Sequence, residues 1–197
     1  KLSSPKFTKP VLDTPQTISV IKEQVIEEQN ATTLQEALRN TPGVTVLLGE
    51  NGNSNAKDNI FMRGFDASGS IFLDGVRDLG SAVRDTFNIE QIEVLKGASG
   101  SEYGRGAAAG TVNLSTKTPK LDNAGEARVS AGSASNKRAT LDLNRAFSET
   151  GALRLNLMAQ DSGVAGRDFV KNKGYGLAPS VAFGLGTPTR VIADLIH

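Results

Sequence analysis

The chain has 197 residues, 22% of them charged and 38% hydrophobic, with a formal net charge of +1; this supports folded structure in one or two domains and no broad field for nucleic acid. It has no cysteine, and its one histidine, His197, is the last residue, which excludes disulfides, thiolate metal sites, cysteine nucleophiles and any histidine-built catalytic or metal cluster. No apolar run approaches the ~18 residues of a membrane-spanning helix, but barrel strands alternate in polarity and escape that test.

Residues 1–15 carry Pro5, Pro10 and Pro15 among Lys, Ser and Thr and read as an extended, solvent-exposed linker. The chain opens at Lys1 with no secretory signal, the expectation for a processed or trimmed polypeptide. TISVI (17–21) is a predicted strand and KEQVIEEQ (22–29) a short helix ended by Asn30. Thr33-Leu34-Gln35-Glu36 is a capping box opening a second helix with Leu34 and Leu38 on one side. Pro42-Gly43 stop it, and VTVLL (44–48) is the next strand. GENGNSNAKDN (49–59) is polar and turn-rich; taken alone it is an ordinary surface loop. IFMRG (60–64) and IFLDG (71–75) are short strands joined by FDASGS. VRDLGSAVRDTFN (76–88) is a second long connection, whose Arg77, Asp78, Arg84 and Asp85 read as surface ion pairs, worth little. Phe65, Phe72 and Phe87 are assigned to the core.

The stretch 89–118 organises the first part of the chain. It opens on Ile89, Ile92 and Val94 and closes on Val112 and Leu114, with Gly97, Gly100, Gly104, Gly106 and Gly110 between them. Two strands joined by a Gly/Ala/Ser turn system follow, the glycines allowing positive φ and close backbone approach.

IEVLKG, then YG-x-G-x-x-x-G-x-VN, resembles the plug-domain signature of TonB-dependent outer-membrane receptors. LQEALRNTPGV (34–44), FMRGF (61–65) and IFLDGVRD (71–78) resemble the same plug in order and spacing, over roughly residues 14–120. Ala98 and Ala109-Gly110 stand where that family often has Pro and Gly-Gly. The resemblance implies an α/β plug, a small mixed sheet with flanking helices.

From about residue 124 apolar residues fall on alternate positions in five runs: Ala127, Val129, Ala131; Ala139, Leu141, Leu143, Phe147; Leu153, Leu155, Leu157, Ala159; Leu177, Val181, Phe183, Leu185; Val191, Ala193, Leu195. Period two predicts strands with one apolar face, as either a soluble sandwich or an outer-membrane barrel would show. FSETGA (147–152) and GTPTR (186–190) are tight turns and SGVAGRDFVKNKG (162–174) a long loop, the asymmetry of a barrel. The even-numbered phase of 138–144 and 154–160 then faces the lumen, and substitutions at Asp142 or Asn156 are expected to be mild. Five strands cannot close, since an open edge in lipid leaves backbone groups unpaired. The resemblance implies about 22 strands in the complete barrel, and the ending VIADLIH, in mid-strand, carries the expectation that the polypeptide continues. The organisation is therefore a linker (1–15), a plug (16–122) and the first part of a transmembrane antiparallel β-barrel (123–197).

Enzyme motifs fail one by one. YGRGAAAG (103–110) has the wrong last interval for G-x-G-x-x-G, GASGS (97–101) is not G-x-S-x-G, and no internal histidine can act as base. No catalytic residue, metal site or cofactor is assigned.

What the family implies is transport: an outer-membrane receptor, most like the catecholate type, that binds a ferric siderophore and imports it using energy delivered by the periplasmic TonB protein. Outer-membrane lipid is a further partner, nucleic acid is not one, and the receptor is expected to be a monomer. A TonB box pairing by strand addition is expected before Lys1. Haem, cobalamin or glycan cargo, or a binding-only protein that docks phage or bacteriocin, are the rival readings. Motif alignment puts the ligand at the plug apex, on Glu50, Asn51, Asn53, Lys57, Ser68, Ser70, Arg77 and Arg84. Arg63, Gly64, Lys96, Gly97, Tyr103 and Gly104 are structural, with the Arg63-Gly64 and Lys96-Gly97 cations expected to meet barrel-wall carboxylates.

Overall fold

The structure, a computed structural model, describes residues 2–4, 7, 9–46, 57–80, 82–104, 109–164 and 166–197, with backbone alone for 167 and 168. Two units divide at Thr116/Lys117. In chain order the first runs β1 (Thr17–Lys22), α1 (Glu23–Glu28), α2 (Leu34–Leu38), β2 (Val44–Val46), β3 (Ile60–Met62), β4 (Phe65–Asp66), β5 (Ile71–Leu73), β6 (Val76–Arg77), β7 (Ile89–Lys96), α3 (Gly100–Tyr103) and β8 (Gly110–Thr116).

Alternation along β7 sets up two faces. Ile92 and Val94 point one way and join Ile21, Ile71, Val112 and Leu114 under α1 and α2, which contribute Ile26, Leu34 and Leu38. Leu95 points the other way, against Phe72 and Tyr103, with Phe7 and Ile18 packed beside them. β1 and β8 pair antiparallel to β7, β5 runs parallel to β8, and β6 closes the edge, giving the order β1-β7-β8-β5-β6. This is the mixed sheet with flanking helices that the sequence predicts. The capping box forms as expected: the Thr33 hydroxyl accepts from Glu36 N at 3.3 Å, and the Glu36 carboxylate accepts from Thr33 N at 3.2 Å, satisfying backbone donors that a one-turn helix leaves open.

Two-residue turns carry the motifs. Asp74 (φ 50°) and Gly75 (φ 82°) join β5 to β6, the positive-φ pair that a tight hairpin uses. Asp74 accepts from Thr116 N at 2.9 Å and Thr116 Oγ1 at 2.7 Å, and Asn113 Oδ1 accepts from Gly75 N at 2.9 Å. The Leu-Asp-Gly and Val-Asn motifs are thus one structural device. Arg63 (φ 51°) and Gly64 (φ 86°) form a similar turn between β3 and β4, so the strand expected over 60–64 ends at Met62 and a hairpin replaces the FDASGS linker. Phe65, assigned to the core, is 69% exposed on the two-residue strand β4; Phe72 is buried as expected. The leader also differs from a solvent-exposed linker. Leu2 is buried, Ser3 N donates to Glu93 at 2.5 Å, and Phe7 packs on the second face of the sheet. One apolar side chain at each of these positions outweighs the polar composition around it.

The second unit is an antiparallel meander of β9 (Ala124–Gly132), β10 (Asn136–Ala146), β11 (Ala152–Val164), β12 (Arg167–Phe183) and β13 (Val191–Asp194). Register stacks the odd positions into apolar rows across β10, β11 and β12: Ala139–Ala159–Tyr175, Leu141–Leu157–Leu177, Leu143–Leu155–Pro179. Below them Phe147 and Phe183 meet edge-on, centroids 5.7 Å apart. Even positions stack as Asp142–Asn156–Ala178 and Asn144–Arg154–Ser180. Leu143, Leu153, Leu177 and Phe183 are exposed while Asn144, Arg154, Asn156 and Ser180 are buried, the inverse of a soluble protein and the polarity of a barrel wall.

A strap, residues 117–123, explains part of that burial and the position of the unit boundary, ahead of the expected 122/123. Lys117 Nζ is 3.0 Å from Asp142, Arg154 donates to Thr118 O at 3.1 Å, and Asn144 exchanges bonds with Lys120 N and O at 2.9 Å each. Asp142 also accepts from Arg154 at 2.9 and 2.7 Å, with the Asn156 amide beside it. Asp142 therefore holds two cations, and the mild substitution expected there does not fit. Nor is 162–174 a long loop: β11 runs to Val164 and β12 starts at Arg167, with a register shift at Gly163/Val164. Ladder hydrogen bonds need no apolar side chains, so polar residues hide a ribbon.

Candidate functional site

Three turns of the first unit are tied together through side chains. Asp58 ends the loop before β3, residues 67–70 separate β4 from β5, and residues 78–84 leave β6. Asp58 accepts from Arg84 N at 3.1 Å and from Arg84 Nη1 at 2.9 Å. Arg84 Nε and Nη2 both lie 2.8 Å from Asp78 Oδ2, and Nη2 donates to Gly80 O at 2.9 Å. Ser68 Oγ accepts from Ile60 N at 3.1 Å, and Arg77 donates to Gly69 O at 3.0 Å. The fork geometry of guanidinium suits such two-sided bracing.

The electrostatics follow from burial. The Asp58 side chain is 0% exposed and that of Arg84 12%. Burial pushes the Asp58 carboxyl above its ordinary value despite the bonds and charge of Arg84. Asp78, one-third exposed, is raised by burial but held below its ordinary value on balance by Arg84 and Gly80 N–H. At Asp66 the Ser68 hydroxyl and N–H hold the carboxyl down.

Set against the expected ligand set, Glu50, Asn51 and Asn53 lie outside the described residues. Lys57 is exposed, and its carbonyl accepts from Gln35 at 3.2 Å. Ser70 is buried and the Ser68 hydroxyl is engaged by the backbone of Ile60, so these serines brace the turns from inside. Arg77 sits over the Phe72 ring, 5.1 Å from its centroid, rather than on Asp78. Arg84 takes Asp78 and Asp58 instead of its neighbour Asp85. The reading of these arginines as surface ion pairs is corrected: Arg84 makes a buried, long-range brace. Asp58 carried no sequence signal beyond being a charge beside an apolar run.

Among the structural residues, Arg63 is exposed and lies against Gly97, where a Cβ would stand 3.9 Å from its Nη1. Lys96 donates to Ser19 Oγ at 3.2 Å, and burial and then the Arg63 charge lower its pKa. Tyr103 stacks tilted on Phe72, centroids 4.7 Å apart, and burial raises its phenol pKa. Gly104, φ 79°, ends α3, a one-turn helix the sequence reading missed.

A second polar site lies on the other face of β7. Glu93 is fully buried and accepts from Ser3 N at 2.5 Å, Gln91 Nε2 at 2.6 Å and Asn113 Nδ2 at 3.3 Å. Asn113 also donates to Ser3 Oγ at 3.1 Å. This socket holds the leader by its backbone. The alternation of β7 puts Gln91 and Glu93 on one face and is the signal that could have found it.

A family model for the TonB-dependent receptor plug domain matches residues 10–111. The chain is 53% identical, over 99% of its length, to the catecholate siderophore receptor Fiu of Escherichia coli K12, covering 26% of that protein. The crystal structure of the closed form of the ferric-catecholate import receptor Fiu matches all of this chain and 28% of that one at a TM-score of 0.93 and 52% identity. The siderophore receptor PiuA of Acinetobacter baumannii matches 97% of this chain and 27% of its own at 0.90 and 38%. The chain thus spans about a quarter of the length of the curated relatives it matches.

Proposed function

Because the chain belongs to the TonB-dependent receptor plug-domain family, we propose that it forms the plug and first wall strands of an outer-membrane receptor that binds a ferric siderophore of the catecholate class and admits it to the periplasm. The observation that carries this reading is the 53% identity to a catecholate receptor across 99% of the chain, through the wall strands as well as the plug. The inverted polarity of the second unit, apolar on its exposed face, supports a place in lipid.

The loop expected over residues 50–57, with Arg77 and Arg84, meets the ligand in this reading. A catecholate chelate encloses iron in oxygen ligands and carries negative charge, so it needs cations and hydrogen-bond donors rather than metal-ligating side chains. Lys57 and Arg77 supply cations at these turns. Arg84 supplies a third, and the partly exposed Asp78 is the partner that an incoming anion would replace. The outer membrane has no ATP, so the work comes from the TonB protein, which engages the receptor by strand addition. The chain acts as a transporter, without covalent chemistry.

Uptake of radiolabelled ferric catecholate in cells with and without the complete receptor, each with and without TonB, tests the reading. Accumulation that requires both supports it. Uptake without TonB, or binding with no uptake, would refute it.

A further inference from the structure

The odd face of the second unit changes character at one row. Beyond the Ala139–Ala159–Tyr175 row, register brings Lys137, Asp161 and Lys173 side by side on three neighbouring strands. Lys173 Nζ is 2.8 Å from Asp161 Oδ2. Lys171, two residues further along β12, faces the same way. Together with the tip of the β9–β10 turn these side chains line a groove of about 620 Å³. Among the side chains described there, three lysines stand against one carboxylate.

The groove is built into the backbone. Gly163 N donates to Ala134 O at 2.9 Å, fastening the β9–β10 turn onto β11. A Cβ at Gly163 would lie 2.7 Å from that oxygen, so glycine is what lets the turn close on the strand. Ala134 and Ser135 take φ 56° and 55°, the left-handed conformation of a tight turn, and both line the groove.

Height on the wall decides the ligand. Tyr175 is exposed on the last apolar row, and tyrosine rings favour the level of lipid headgroups. The lysine row is two residues beyond it, about 7 Å along the strand and less after tilt. It therefore stands where the phosphates of a lipid leaflet lie, next to an apolar face suited to the acyl chains.

We propose that this groove binds the phosphate of a phosphorylated lipid headgroup in the leaflet around the receptor. Lys137 and Lys171 contact the phosphate oxygens, and Asp161 holds Lys173 upright between them. The inference rests on the reading of this unit as a wall of an outer-membrane barrel.

The test uses the complete receptor in nanodiscs of phosphatidylcholine with a minor fraction of diphosphorylated lipid A. Native mass spectrometry counts the lipids retained by the wild type and by the combined Lys137→Gln, Lys171→Gln, Lys173→Gln variant. A loss of retained lipid A of about ten-fold or more, with phosphatidylcholine retention unchanged, is the expected result. Equal retention by both proteins overturns the proposal while leaving the barrel reading intact. Displacement of lipid A by millimolar inorganic phosphate overturns it in favour of a soluble-anion site. A receptor that does not enter the discs at all removes the barrel reading, and this proposal with it.

Discussion

Replacing Arg84 with alanine should loosen the turns at residues 57–60 and 78–86, and do so in a pH-dependent way. The guanidinium is 2.9 Å from Asp58, whose side chain is wholly buried. Breaking a buried pair from one side costs about 3–5 kcal/mol, because the remaining charge is left uncompensated. The contact to Asp78 adds under about 1 kcal/mol, since that side chain is one-third exposed and screened by solvent. Asp58 already titrates above 3.8 in the folded chain. Its folded form binds the proton more tightly, so its contribution is fully present below that value and is lost as pH rises through the folded pKa. Removing Arg84 strips the influences that hold this pKa down, raises it further, and enlarges the loss at neutral pH. The deficit of Arg84→Ala should therefore be largest near pH 7 and shrink toward about pH 4. Adding Asp58→Asn should recover much of it, a non-additivity expected of partners in contact. Hydrogen exchange of peptides covering 57–62 and 82–88 in the complete receptor, corrected for intrinsic rates, reads all of this. Unchanged protection at neutral pH, or the same deficit at both pH values, would refute the reasoning.

Gly110→Ala should destabilise the first unit by at least about 1–3 kcal/mol, because Gly110 has φ 134° and an added Cβ would lie 2.3 Å from Leu95 O; thermal unfolding of the complete receptor checks it, and an unchanged midpoint counts against it. Asp142→Ala leaves Lys117 and Arg154 facing each other across a buried site and should cost about 3–5 kcal/mol, read as faster exchange in the strap amides. Leu155→Arg, on the exposed apolar phase, should cost about 2–4 kcal/mol if it lies at the bilayer midplane, seen in folding titrations into lipid; Thr140→Arg, on the even phase, should cost clearly less, and equal losses would argue for a soluble sandwich.

Much of the fold was legible because it depends on local rules. The Thr33–Glu36 capping box, the Asp74-Gly75 turn and the five alternating runs each declare themselves within a few residues. What stayed hidden depends on partners brought together by topology. Arg84 sits beside Asp85 in the chain, yet its buried partner is Asp58, 26 residues away. Glu93 lies between Ile92 and Val94, and its buried carboxylate is satisfied by Gln91 together with Asn113 and Ser3, the last 90 residues distant. The ribbon at 162–174 was missed because alternation reports which side chains are buried, whereas strands projecting past an apolar band need only backbone pairing. Of the candidate site, the grouping of Lys57, Ser68, Arg77 and Arg84 on neighbouring turns could be foreseen. Their division of labour, with the serines bracing inward and Arg84 tied to two carboxylates, could not.

The strap has a consequence for assembly. The bonds described for it reach β10 and β11 at separations of 24 to 36 residues. Closing loops of this size costs only a little more than closing shorter ones, each doubling of length adding about 0.6 kcal/mol. The β10–β11 hairpin alone is enough to seat the strap, without β9, β12 or β13. The start of the second unit is thus set within that unit itself: the β10–β11 hairpin acts as a jig that holds residues 117–120 in place through Asp142, Asn144 and Arg154, whatever the remaining strands go on to do.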